Sequence, residues 1–143
     1  MNEQQLRNQQ TIVAEGMKSA GDKHAKLEYL TMVGQDAYLH PIVLNQKDLI
    51  AGCISRTYFR ASFTPEGFIR IEGESESVVM RGVISLMSDA LNDCDAETIK
   101  KVGVTWMDAA GLMEMLTPQR QGAIRQMVER IYRACDQWLQ KES

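Results

Sequence analysis

Three thiols, Cys53, Cys94 and Cys135, are the side chains best suited to nucleophilic or redox chemistry, and each has a different setting. Their number is odd, with no Cys-x-x-Cys pair and no nearby histidine to complete zinc spacing, so three free thiols are the default in a reducing compartment. Cys135 falls on the apolar stripe of a helical segment, where a thiol acts as a small hydrophobe and burial keeps it inert. Cys94 stands in Asn92-Asp93-Cys94-Asp95, just past a helix end, where two adjacent carboxylates disfavour its thiolate and make it a poor nucleophile, whether exposed or not. Cys53 follows Ala51-Gly52 and precedes an extended run, which puts it on a turn. Gly52 permits an unusual backbone angle and leaves room for another protein's backbone to approach. No acid lies within four residues of Cys53, while Arg56 and Arg60 follow it. Those residues alone leave two readings open, a reactive thiol and an ordinary buried loop thiol.

Arg120 is the second unusual residue. It precedes Ile124 by four positions and so shares the inward side of the last helix, in a first turn whose free N–H groups and dipole favour an anion. Its partner is either a carboxylate, such as Glu72 or Glu74, or a sulfur anion. Arg56 is a further cation close to Cys53 in sequence. His40, followed by Pro41, is either a base or simply part of a turn.

The elements that must position these groups are readable from periodicity. Residues 3–18 form a weakly amphipathic helix through Leu6, Val13 and Met17. Asp22 caps a second helix that Gly34 ends in a left-handed conformation. A connection around His40-Pro41 includes a possible short strand at residues 42–44. Residues 54–63 are extended, with Phe59, Ala61 and Phe63 on one face, and Thr64-Pro65-Glu66-Gly67 turns the chain into a second strand over 68–72. Residues 78–91 are apolar almost all round and form the buried central helix. Short helices follow at 96–101 and 106–110. Thr117 and Pro118 open the last helix, along which Ile124, Met127, Ile131, Cys135 and Trp138 line one stripe. The expected fold class is α+β: a small antiparallel sheet of two to three strands packed by several helices, in one domain spanning 1–143.

Composition narrows the function classes. A chain of 143 residues with 44% hydrophobic and 24% charged content suits one soluble globular domain. A net charge of −3 gives no general attraction to nucleic acid or to an anionic membrane, and no apolar run is long enough to span one. The polar start lacks the order of a secretory signal, so a cytoplasmic location is expected. There is no glycine-rich phosphate loop, dinucleotide fingerprint or metal-ligand cluster, so no resident cofactor is expected.

Three segments in register resemble the SufE family, including its CsdE branch. They are Gly52-Cys53-Ile54-Ser55-Arg56-Thr57-Tyr58, Ile71-Glu72-Gly73-Glu74-Ser75 and Leu116-Thr117-Pro118-Gln119-Arg120, and the later Met127-Val128-Glu129-Arg130-Ile131 also fits. Thr57 and Tyr58 stand where the family has Val and Trp, Ile54 and Arg56 replace residues commonly polar there, and Ala123 follows Gly122 where the family's glycine is expected. The resemblance implies a fold like that of IscU-type scaffold proteins. It implies that Cys53 accepts persulfide sulfur from a cysteine desulfurase of SufS or CsdA type and relays it to an iron–sulfur scaffold, stimulating the desulfurase. In that reading the protein is a carrier, not an enzyme, and the pyridoxal phosphate belongs to the partner. Arg120 lies near the active loop; Arg120 or Arg56 favours the charged sulfur, with His40 as a possible base. Recognition would use the Cys53 loop with the acidic stretch Glu72, Glu74, Glu76. Cys53 is expected to tuck towards apolar side chains when free. The alternatives are a desulfurase-binding regulator of the same fold that has lost sulfur transfer, and a stand-alone thiol redox protein using Cys94 or Cys135 as resolving cysteine.

Overall fold

The computed structural model describes residues 1–39 and 45–142. His40 and the possible strand at 42–44 lie outside the described residues. Helix α1 (Glu3–Lys18) starts at Asn2, whose side chain and that of Gln5 cap each other's backbone N–H. Helix α2 (Lys23–Asp36) is capped by Asp22 as expected. The hairpin β1 (Thr57–Phe63) and β2 (Ile69–Ser75) follows, and then α3 (Val78–Leu91), α4 (Ala96–Val102), α5 (Trp106–Ala110) and α6 (Pro118–Glu142). Single 3₁₀ turns occur at Gln46–Asp48 and Met113–Met115. The fold is therefore α+β, with a two-stranded antiparallel sheet. Leu49 adds one bridge to Tyr58 beside β1.

The hairpin register pairs Thr57 with Ser75, Phe59 with Gly73 and Phe63 with Ile69. The turn between the strands has the expected chemistry: Gly67, at φ +90°, donates to the Thr64 carbonyl at 2.9 Å. Both strand boundaries differ from the expectation. β1 begins at Thr57 rather than 54, because residues 51–55 turn and bend instead of joining the ladder, and β2 continues to Ser75 to match it.

Helix α3 is central, with Met80, Val83, Ile84, Met87, Ala90 and Leu91 fully buried. Its face towards α2 is set by two glycines. Gly34 lies inside α2 and does not terminate it, contrary to the sequence reading; a Cβ there would collide with the Val78 carbonyl oxygen. A Cβ on Gly82 would likewise collide with the Leu30 carbonyl oxygen, so the two backbones touch where neither residue has a side chain.

The inward stripe of α1 is Leu6, Gln10, Ala14 and Met17, with Val13 only half-buried. Gln10 is a buried polar residue with a specific task. It donates to the Gly103 carbonyl at 2.9 Å and accepts the N–H groups of Thr105 and Trp106, satisfying donors at the start of α5. Helix α6 packs on α4 and β1, with Trp138 stacked on Phe63 at 5.6 Å between ring centroids. No helix among the described residues is long and apolar enough to cross a membrane.

Candidate functional site

The start of β1, the N-terminus of α3 and the N-terminus of α6 converge on one side of the molecule. There Cys53, Ile54, Ser55, Met80, Thr117, Gln119 and Arg120 line a cleft of about 260 Å³. Cys53 is half-buried and packs against the edge of the core. Ile54, next in sequence, is 83% exposed. Gly52 adopts φ +77° with nothing within 4 Å of a Cβ position, so the backbone bend before Cys53 is both glycine-dependent and open on its outer side.

Arg120 reaches the cleft because Thr117 caps α6, accepting the Arg120 N–H at 3.4 Å, and Ile124 one turn on is buried. Its guanidinium donates to Ser77 Oγ at 3.4 Å, and among the described residues it has no ion pair. The carboxylate alternative is therefore not what the structure shows. Glu74 is paired with Arg81, and Glu72 is buried opposite Arg60 in the strand register. Ser77 Oγ also caps α3 by accepting from Met80 N–H at 3.3 Å, so the guanidinium and the helix start share one oxygen.

The acidic stretch is not one solvated face. Glu72 is inside, Glu74 holds Arg81, and Glu76 accepts the Arg56 N–H at 2.8 Å while its own N–H donates to the Arg56 carbonyl at 3.0 Å. Arg56 is brought near by that backbone pairing, yet its exposed side chain does not line the cleft.

The other two cysteines are sealed. Cys135 has no exposed surface, as its place on the α6 stripe implied. Cys94 also has none, which settles the exposure that the sequence left open. The backbone beside it pairs with the start of β2, Ile69 N–H donating to the Cys94 carbonyl at 2.9 Å, and this tertiary pairing turns the side chain inward. Burial pushes the Cys94 thiol up to about 12, helped by the neighbouring Asp95 charge, and burial alone is the main reason Cys135 also rises to about 12.

Two side chains to which the sequence reading gave no role hold the segment leading to Cys53. The Gln126 amide pairs with Ala51 in both directions, accepting its N–H at 3.1 Å and donating to its carbonyl at 2.8 Å. One turn later Arg130 donates to the carbonyls of Asp48, Leu49 and Phe59, each at 2.8 Å. Asp48 itself accepts from Arg60 at 2.6 Å, which holds its carboxyl below the usual carboxylate range. Gln126 and Arg130 lie four apart on α6, and that spacing was the one available signal.

Comparison with known proteins gives an independent line. The fold matches the solution structure of a hypothetical protein from Thermus thermophilus, with a TM-score of 0.69 at 14% identity, over 98% of this chain and 99% of that one. The family model described as "Fe-S metabolism associated domain", SufE, matches residues 11–135. That match covers most of the chain and contains the Cys53 cleft, the hairpin and both helix starts around it, so the chain belongs to the SufE family of Fe–S metabolism proteins.

Proposed function

We propose that this protein accepts a sulfane sulfur from a cysteine desulfurase onto Cys53 and relays it towards iron–sulfur cluster assembly, stimulating the desulfurase by clearing its persulfide. The observation that carries the reading is the difference among the thiols: Cys53 alone opens on a cleft, shared with Arg120, while Cys94 and Cys135 are buried. Membership of an Fe–S metabolism family supplies the chemical context.

The step is thiol–disulfide exchange with a persulfide as the oxidised partner. Cys53 Sγ, having lost its proton, attacks the terminal sulfur of the desulfurase persulfide. A new S–S bond forms, the donor's S–S bond breaks, and the electron pair leaves on the donor thiolate. Arg120 contributes a positive charge that attracts the sulfur anion, from the first turn of a helix whose dipole is positive at that end. The approaching enzyme meets Gly52 and Ile54, one without a side chain and one exposed and apolar, which leaves its backbone room beside the thiol. Pyridoxal phosphate remains with the desulfurase.

Incubation with a pyridoxal-phosphate cysteine desulfurase of SufS or CsdA type and free cysteine is expected to add about 32 Da, one sulfur, to Cys53, read by intact-mass and peptide mass spectrometry. A Cys53→Ser variant that still accelerates sulfide release would sink the proposal.

A further inference from the structure

Thr57 is fully buried, yet its hydroxyl lies at the reacting atom. Thr57 Oγ1 is 3.6 Å from Cys53 Sγ, 2.8 Å from Ser75 Oγ and 3.1 Å from the Ser55 carbonyl oxygen. Ser75 Oγ in turn accepts the Ser77 N–H at 3.0 Å, and Ser77 Oγ accepts from Arg120. The polar contacts thus run from the sulfur through the Thr57 and Ser75 hydroxyls to the Ser77 backbone, and the Ser77 hydroxyl meets the guanidinium.

The proton count around Thr57 closes in two ways. A threonine hydroxyl has one hydrogen and two lone pairs. With Cys53 as a thiol, the S–H and the Ser75 O–H both donate to Thr57 Oγ1, and Thr57 donates to the Ser55 carbonyl. Once the thiol has lost its proton, rotation about the Thr57 Cβ–Oγ1 bond turns that hydrogen from Ser55 to the sulfur, and Ser75 keeps donating. No heavy atom has to move between the two arrangements.

We propose that Thr57 is a catalytic residue whose hydroxyl donates to Cys53 Sγ whenever that sulfur carries negative charge. Negative charge sits on Sγ twice in a carrier's cycle. In uptake Sγ is the attacking thiolate; in delivery an acceptor nucleophile takes the terminal sulfur, the S–S bond breaks and its electron pair stays on Sγ. In delivery a donor to Sγ stabilises the charge that develops on the leaving sulfur, with no opposing loss of nucleophilicity. In uptake its benefit is partly offset, because a stabilised thiolate is a weaker nucleophile. Thr57 therefore speeds release of sulfur more than its capture. The role rests on Cys53 being the sulfur-bearing residue proposed above.

The test isolates delivery. Cys53 is converted to a mixed disulfide with thionitrobenzoate, treated with sulfide to give the persulfide, and reacted with cyanide, which removes the terminal sulfur as thiocyanate and leaves the Cys53 thiolate. Thr57→Val, nearly the same shape, is expected to slow thiocyanate release about tenfold, the effect of one lost hydrogen bond to a charged atom. Thr57→Ser, which keeps the hydroxyl, should stay within about twofold of the parent. Thr57→Ala repeats the loss should the valine variant not fold, as judged by thermal melting. A parental rate in the folded Val or Ala variant overturns the proposal, and so does a Ser variant as slow as Val. Chemical loading needs no desulfurase, so a protein that takes no sulfur from that enzyme but shows the expected cyanide rates refutes the acceptor reading while leaving the Thr57 contact standing.

Discussion

Cys53 and Cys94 are both loop thiols at the edge of a regular element, and the structure treats them oppositely. Cys53 sits half-buried before β1, on a bend open at Gly52, beside a threonine hydroxyl and in one cleft with a guanidinium. Cys94 sits after α3 on a bend that β2 covers by backbone pairing, and it joins Cys135 in the interior. Both would be placed in turns by local sequence alone. What separates them is long-range: a strand start closes over one, and none closes over the other. Which thiol is open to solvent is decided here by tertiary cover.

The sharpest way to break that contrast is substitution of each thiol. Cys53→Ser is expected to abolish sulfur uptake without lowering stability. Cys94→Ser and Cys135→Ser should each keep uptake but lose about 1–3 kcal/mol, because a hydroxyl replaces a thiol where water cannot reach it. Uptake by mass spectrometry and denaturant melts separate the two outcomes. If Cys94→Ser lost uptake at full stability, the assignment of chemistry to one cysteine would be wrong.

Removal of the cleft's positive charge comes next in size. Arg120→Met, similar in length, should slow single-turnover uptake about tenfold, within the range for one charge-assisted bond. Stability should change little, since the side chain makes one 3.4 Å hydrogen bond and no ion pair among the described residues. A variant as fast as the parent would confine the site's chemistry to the thiol and its hydroxyls.

Alkaline titration probes the buried pair. The ordinary thiol value is 9.0, and burial raises Cys94 and Cys135 to about 12 in the folded chain. Above pH 9 the unfolded chain loses these protons while the folded chain keeps them. Stability from this source is therefore whole below about pH 9 and is lost as pH rises towards 12, by at most about 1.4 kcal/mol per unit per thiol. Urea melts from pH 8 to pH 10.5 should show the decline, and Cys135→Ala should reduce its slope.

Much of this was legible in the chain. Helices α3 and α6 announced themselves by apolar periodicity, the hairpin by Thr64-Pro65-Glu66-Gly67, and the inward Arg120 by its spacing from Ile124. Gly34 misled because a glycine near a helix end signals a cap, whereas here Gly34 and Gly82 let α2 and α3 touch, a contact that involves two distant positions at once. Gln10 was hidden because its partners are backbone atoms about 95 residues away, which leave no complementary side chain to recognise. The same holds for Gln126 and Arg130. A polar residue on a helix reads as solvent-facing until the carbonyl it serves is known.

Gln126 supports the smallest prediction and the finest. Its amide holds the Ala51 backbone in both directions, and Glu76 holds that of Arg56, so Cys53 lies on a short span fixed at each end. Both posts are close to solvent, and Gln126→Leu should cost only about 1 kcal/mol, since water replaces exposed hydrogen bonds at little loss. The functional effect should nonetheless exceed the stability effect, because transfer needs three sulfurs in line and small misplacement is expensive in rate. Glu76→Ala should act like Gln126→Leu, and Glu76→Gln should be close to the parent, because its amide oxygen still accepts the Arg56 N–H. Hydrogen exchange at the Ala51 and Arg56 amides reports whether each post has been lost, and uptake from the desulfurase reports whether its loss matters. Faster exchange with unchanged uptake would show that the span holds its shape without its posts, leaving the covering of the thiol, rather than the rigidity of its loop, as the feature that sets Cys53 apart from Cys94.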